Sequence, residues 1–141
     1  MKLELDTNSH AVYSLNYHLI LITKYRREVF TNRKMFERLR EIASLIAKNH
    51  NIEIKQLNGE ADHVHMLLRA KPQCELSKYI NAMKSASSSR LKQEFPDVKH
   101  RLWKSQFWSQ SYCLITVGGV PLEVLKKYIE SQGQKNEKST S

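Results

Sequence analysis

Cysteine is nearly absent: Cys74 and Cys113 are the only two. They form no CxxC pair and match no zinc-ligand spacing, which excludes a disulfide scaffold and a cysteine-based zinc centre. Both lie in apolar-looking segments and read as reduced core residues of a cytosolic protein. No stretch approaches the length of a membrane span. The N-terminus carries Glu4 and Asp6 and has no apolar run resembling a signal peptide. The expected location is therefore cytoplasmic. Internal repeats and dividing linkers are also missing, so residues 1–141 read as a single domain with loose polar tails at 1–10 and 134–141. Acidic residues are the last shortage. Fourteen Asp and Glu face twenty-three Lys and Arg, a net charge of +9. That excess attracts polyanions, nucleic acid above all. A membrane surface is disfavoured, because no helix combines a strongly basic face with a broad aromatic one.

What is present is ordinary globular material, with 40% hydrophobic and 26% charged residues. A chain of this size buries about two thirds of its unfolded surface, so a core forms without disulfides. Residues 12–23 are β-branched and aromatic and read as a strand, followed by a basic loop or strand continuation at 24–30. From Arg33 to Asn49 the apolar residues Met35, Phe36, Leu39, Ile42, Ala43 and Ile46 keep helical spacing, with Thr31 or Asn32 as cap. Ile52 and Ile54 alternate with polar neighbours until Leu57 breaks the count, and Asn58-Gly59 signals a turn. Residues 63–70 read as a third strand. Leu76, Tyr79, Ile80, Met83 and Leu91 mark the buried stripe of a second helix, stopped at Pro96. Ala86 and Ser87 are small enough there for close packing. Residues 107–117 form a fourth strand, broken near Gln110. Gly118-Gly119 turns the chain into a last helix that opens at Pro121 and frays by Gly133.

This order, β-α-β-β-α-β plus a helix, predicts a ferredoxin-like, RRM-like α+β fold: a four-stranded antiparallel sheet with two helices on one face and a C-terminal helix besides.

The chemistry concentrates in His63-Val64-His65. Strand side chains alternate, so both imidazoles share one face while Val64 takes the other. Two histidines so placed are a natural metal-ligand pair, although an isolated His-x-His can equally be two surface residues. A His-x-His-x-Asp site is excluded, because position 67 is Leu67. Any further ligand must come from elsewhere. Tyr128 and Gln132 are four apart and share a helix face. The Gln132 amide oxygen suits hard cations such as magnesium or manganese, and the Tyr128 phenol can attack phosphorus. Tyr128 could also be plain packing beside Leu122, Leu125 and Ile129. Candidate DNA contacts are Lys24, Arg26 and Arg27 for phosphates, Lys84 and Arg90 beside the serines at 85 and 87–89, and Trp103, Phe107 and Trp108 for stacking on bases.

His63-Val64-His65 after Ala61-Asp62, together with Tyr128-Ile129-Glu130-Ser131-Gln132, resembles the single-tyrosine HUH transposases (TnpA-type) of small bacterial insertion sequences. Tyr17-His18-Leu19-Ile20 leading into Lys24-Tyr25-Arg26-Arg27, and Trp108-Ser109 through Thr116-Val117-Gly118-Gly119, extend the likeness over roughly residues 11–134. The resemblance implies a metal held by His63, His65 and Gln132, and attack by Tyr128 on single-stranded DNA from the hairpin ends of an element. It also implies a 5′-phosphotyrosine intermediate, and a homodimer in which the tyrosine helix of one subunit can serve the histidines of the other. A domesticated relative acting on chromosomal repeats carries the same residues. A non-enzymatic RNA-binding module shares the fold but would show aromatics where His63 and His65 stand.

Overall fold

The computed structural model describes residues 15–71, 74–117 and 127–132, together with the backbone of 7–8 and 11–12. Four strands make the main sheet: β1 (Leu15–Thr23), β2 (Ile52–Glu60), β3 (His63–Ala70) and β4 (Trp108–Thr116). Their order is β2-β3-β1-β4, all neighbours antiparallel. Helices α1 (Arg33–Lys48) and α2 (Leu76–Glu94) are the two long helices expected. A four-residue helix, α3 (Val98–Arg101), follows them, and 127–132 is helical. Thr7–Asn8 pairs with Ala11–Val12 as a small separate ribbon, so part of the 1–10 region expected to be loose is strand. The expected turn at Gly118-Gly119, the helix start at Pro121 and the tail from 134 lie outside the described residues.

The sheet sits as it does because one face of each strand is apolar. Strand β3 alternates without a break: Val64, Met66, Leu68 and Ala70 are all within 2% of complete burial, while His63, His65, Leu67 and Arg69 between them are half-buried. Leu19 and Leu21 of β1 join the same core, and α1 and α2 cover it with Met35, Leu39, Ala43, Tyr79, Ile80 and Met83. Burying each of the large aliphatic side chains among them contributes roughly 1.5–3 kcal/mol. Asn32 caps α1, its side-chain oxygen accepting from the Met35 amide at 3.1 Å. Tyr79 ties the helices together by donating to the Ala43 carbonyl at 3.1 Å.

Two readings of β2 change. Leu57 breaks the alternation because a bulge shifts the register between Ile54 and Gln56, which returns Leu57 to the core side. The strand then runs through Asn58-Gly59 to Glu60, so the turn expected there falls instead at Ala61-Asp62. Gly59 is needed for space. A Cβ there would collide with the His63 carbonyl oxygen and meet the Phe36 ring at 2.9 Å. The expected break near Gln110 is present as a register shift in the β1–β4 pairing, between Leu21 and Thr23.

Candidate active site

The sheet face opposite α1 and α2 carries a second, small apolar cluster. Ile20 and Ile22 of β1 are its buried members, and Cys113, Ile115, Tyr128 and Ile129 rest against them. Helix 127–132 therefore lies on its own sheet. In register, Ile20 stands opposite His65 on one side and Cys113 on the other, and Ile22 stands opposite His63. The two histidines and Tyr128 thus flank the same pair of isoleucines. Cys113, expected in the main core, belongs to this face and is only partly buried.

Each side chain of the site has a definite setting. His63 Nδ1 lies 2.8 Å from Asp62 Oδ1, and Asp62 Oδ2 lies 2.8 Å from Arg26 Nε. Burial pushes the Asp62 carboxyl up, but the hydrogen bonds from His63 and Arg26 outweigh it and hold the group below the usual carboxylate range. His65 Nε2 lies 2.8 Å from His18 Nδ1, with the rings stacked at 4.9 Å. Burial, then the neighbouring His18 and His63, push His65 down, which favours the neutral imidazole that metals bind.

On the helix, Gln132 Oε1 accepts from the Ser111 hydroxyl at 2.8 Å, and Ser111 lies 3.3 Å from the Ser109 hydroxyl beside the β4 irregularity. The Tyr128 hydroxyl is buried and has no hydrogen-bond partner among the described residues. Burial raises its pKa. Ser111 pulls the other way, but it commits its proton to Gln132.

The expected DNA contacts divide. Trp108 is 8% exposed, and its indole N–H donates to Ser87 at 3.0 Å inside the main core. It is a core residue, unable to stack on bases as expected, because the small Ser87 admits it against α2. Phe107 is buried beside it, whereas Trp103 is exposed and meets Tyr25 edge-on at 5.3 Å. Arg26 is half-buried, and its Nε–H bonds to Asp62. Lys84 is half-buried, its ammonium 2.7 Å from the Ser109 carbonyl and 3.3 Å from that of Gln110, so it braces the break in β4. Burial, then Lys24, push its pKa down. Arg27 and Arg90 are exposed, and Lys24 is half-buried with its ammonium over the Tyr25 ring. Sequence reasoning gave no role to His18 or Asp62. Strand parity with Ile20 puts His18 on the histidine face, and Asp62 adjoins His63; those were the available signals.

A family model described as "Transposase IS200 like" matches residues 11–132. The chain belongs to the IS200-like transposase family. The transposase is 36% identical over 135 residues to the ISDra2 transposase TnpA of Deinococcus radiodurans, covering 96% of each chain. It is 31% identical over 127 residues to the transposase of insertion sequence IS200 from Salmonella typhimurium, covering 88% of this chain and 80% of that one. A crystal structure of a candidate transposase from Deinococcus radiodurans superposes with a TM-score of 0.80 at 35% identity, over 90% of this chain and 97% of the other. A REP-associated tyrosine transposase solved with a REP hairpin shares the fold, with a TM-score of 0.56 at 10% identity over 87% of this chain and 68% of that one. Membership makes the protein a DNA-processing enzyme, and no helix among the described residues is long and apolar enough to cross a membrane.

Proposed function

We propose that this transposase mobilises an insertion sequence by cutting and rejoining single-stranded DNA through a covalent 5′-phosphotyrosine at Tyr128. The observation that carries the reading is the Tyr128 hydroxyl: buried, without a hydrogen-bond partner among the described residues, and on the sheet face that holds His63 and His65. An orphaned buried hydroxyl costs about 1–3 kcal/mol, so such a group at a family site points to a substrate atom as its missing partner. Family membership favours this enzyme reading over an RNA-binding module.

The donor set fits a divalent cation. Among the described residues no three His, Cys, Asp or Glu converge as a metal centre. A cation at His63 and His65 would therefore rely on the neutral Gln132 amide oxygen and on DNA phosphate, oxygen donors of the kind that suit magnesium or manganese. Bound there, it supplies Lewis acidity and orients the scissile phosphate.

The chain does the rest. Tyr128 forms a bond from its phenol oxygen to phosphorus as the bond to the 3′ oxygen breaks. The phenol proton ends on the departing 3′-hydroxyl, so no outside reagent is needed. Burial raises the phenol further above neutrality, so Tyr128 enters the reaction protonated. Rejoining reverses the step with a new 3′-hydroxyl. Single strands from hairpin ends are the substrate, drawn in by the +9 charge.

The working unit is a homodimer. Strand β4 is a sheet edge whose outer side pairs with no strand among the described residues, and a second copy adding there would protect it. The tyrosine helix, here on its own sheet, exchanges onto the partner's histidines. Mixing the Tyr128→Phe protein with the His63→Ala/His65→Ala protein then restores cleavage. A mixture that stays inactive after verified subunit exchange leaves each site within one chain.

Incubation with labelled single-stranded hairpin DNA tests the chemistry. Cleavage and a covalent adduct are expected with magnesium or manganese. Both should vanish in chelator and in Tyr128→Phe, while DNA binding persists. Undiminished cutting by Tyr128→Phe removes the nucleophile, and full activity in chelator removes the metal.

A further inference from the structure

Arg26 was expected to bind phosphate and Asp62 was given no role, yet they form one chain of contacts ending on His63. Two consecutive residues, Tyr25 (φ 57°) and Arg26 (φ 52°), sit in the left-handed region that side-chain-bearing residues avoid. Such conformations cost of order 1–3 kcal/mol each and persist where the surroundings enforce them. Here the consequence is specific: the short helical turn Lys24–Arg26 is bent so that the Arg26 guanidinium reaches Asp62. The other end of the chain is fixed as firmly. The Asp62 carbonyl accepts from the Thr23 amide at 3.0 Å and lies 3.1 Å from the Thr23 hydroxyl. The Ala61 carbonyl accepts from the Val29 and Phe30 amides at 2.9 and 3.0 Å. Gly59 brings β2 in close beneath the His63 carbonyl.

We infer that Asp62, oriented by Arg26, is a positioning residue that fixes which nitrogen of His63 carries the proton. A carboxylate can only accept, and its two oxygens are already divided, Oδ2 to Arg26 and Oδ1 to His63. His63 Nδ1 must therefore be the protonated nitrogen, which leaves the Nε2 lone pair free for a ligand. A fixed tautomer and ring orientation raise a histidine's competence as a metal ligand, and losing such a partner typically costs ten- to a hundredfold in affinity. The inference rests on the proposed metal site at His63, and assigns Arg26 an orienting role through its Nε–H.

Asp62→Asn is the informative change. Its amide has one oxygen for two donors, so with Arg26 on that oxygen the NH2 group faces Nδ1 and favours the opposite tautomer. The backbone contacts of the Asp62 turn are untouched. Two readouts are used on the full chain without DNA: manganese affinity by titration, and the nitrogen chemical shifts of the His63 ring in metal-free protein. The native chain is expected to bind manganese with Nδ1 protonated. Asp62→Asn is expected to bind about ten- to a hundredfold more weakly and to shift the proton to Nε2. Arg26→Gln, which keeps the Asp62 carboxylate, is expected to show a smaller loss of affinity and keeps the test open if Asp62→Asn fails to fold. His63→Ala separates the two levels of the argument. If it binds manganese like the native chain, the metal site itself is wrong and this inference falls with it. If His63→Ala loses manganese while Asp62→Asn and Arg26→Gln keep native affinity and the native tautomer, the metal site stands and the positioning role is overturned.

Discussion

The two faces of strand β3 differ in what surrounds them. On β3, Val64, Met66, Leu68 and Ala70 are closed under α1 and α2, with apolar neighbours on every side. One residue over in each case, His63, His65, Leu67 and Arg69 face the other way and are half-buried, with Ile20 and Ile22 as the buried apolar members of that face among the described residues. The first face holds the sheet in place. The second spends little on packing and keeps an unpaired hydroxyl, a histidine pair and an ion-paired carboxylate within one surface. Strand parity alone separates the two tasks, which is why a one-residue slip of β3 would destroy both.

Substitutions that strike one face should therefore leave the other's property intact. The largest effect is expected from His63→Ala or His65→Ala. In the proposed mechanism, losing such a metal ligand would remove several kcal/mol of transition-state stabilisation, more than about a hundredfold in cleavage rate. The thermal midpoint should barely move, because neither ring is part of the main core. A mutant that unfolds instead, or cuts normally, breaks the comparison. Leu68→Ala should do the reverse: about 2–5 kcal/mol of stability lost, with cleavage per folded molecule unchanged, as read by urea unfolding beside single-turnover kinetics. The smallest effect sharpens the contrast. Trp108→Phe removes the indole N–H that meets Ser87 in the core and should cost about 1 kcal/mol of stability without weakening DNA binding. A marked loss of affinity for single strands would return Trp108 to the DNA-contacting set.

How far the sequence could be read follows the same division. Elements set by local periodicity were legible: the ends of β3, the stripe of α2 and the Asn32 cap all follow from side-chain spacing. The family motifs placed Tyr128, His63 and His65 on their elements, and parity put both histidines on one face. What was misread depended on contacts between distant segments. Asn58-Gly59 has the composition of a turn, but Gly59 answers to the Phe36 ring and the His63 carbonyl. Trp108 looks like a base-stacking aromatic until Ser87, 21 residues away, gives its N–H a buried partner. Arg26 reads from its neighbours as one of three basic residues in a cluster, and its Nε–H bond to Asp62 depends on the left-handed turn at Tyr25 and Arg26, which spacing does not reveal.

The most direct test of a chemical face carried by Tyr128 is to locate the DNA after cleavage. The protein is reacted with single-stranded hairpin DNA in the presence of manganese, the adduct is digested with nuclease and protease, and the peptide bearing the residual nucleotide phosphate is sequenced by mass spectrometry. The phosphate is expected on Tyr128, joined to the 5′ end of the cut strand. A phosphate on any of the other five tyrosines, or efficient cleavage that leaves no tyrosine modified, would contradict the assignment of this face as the catalytic one.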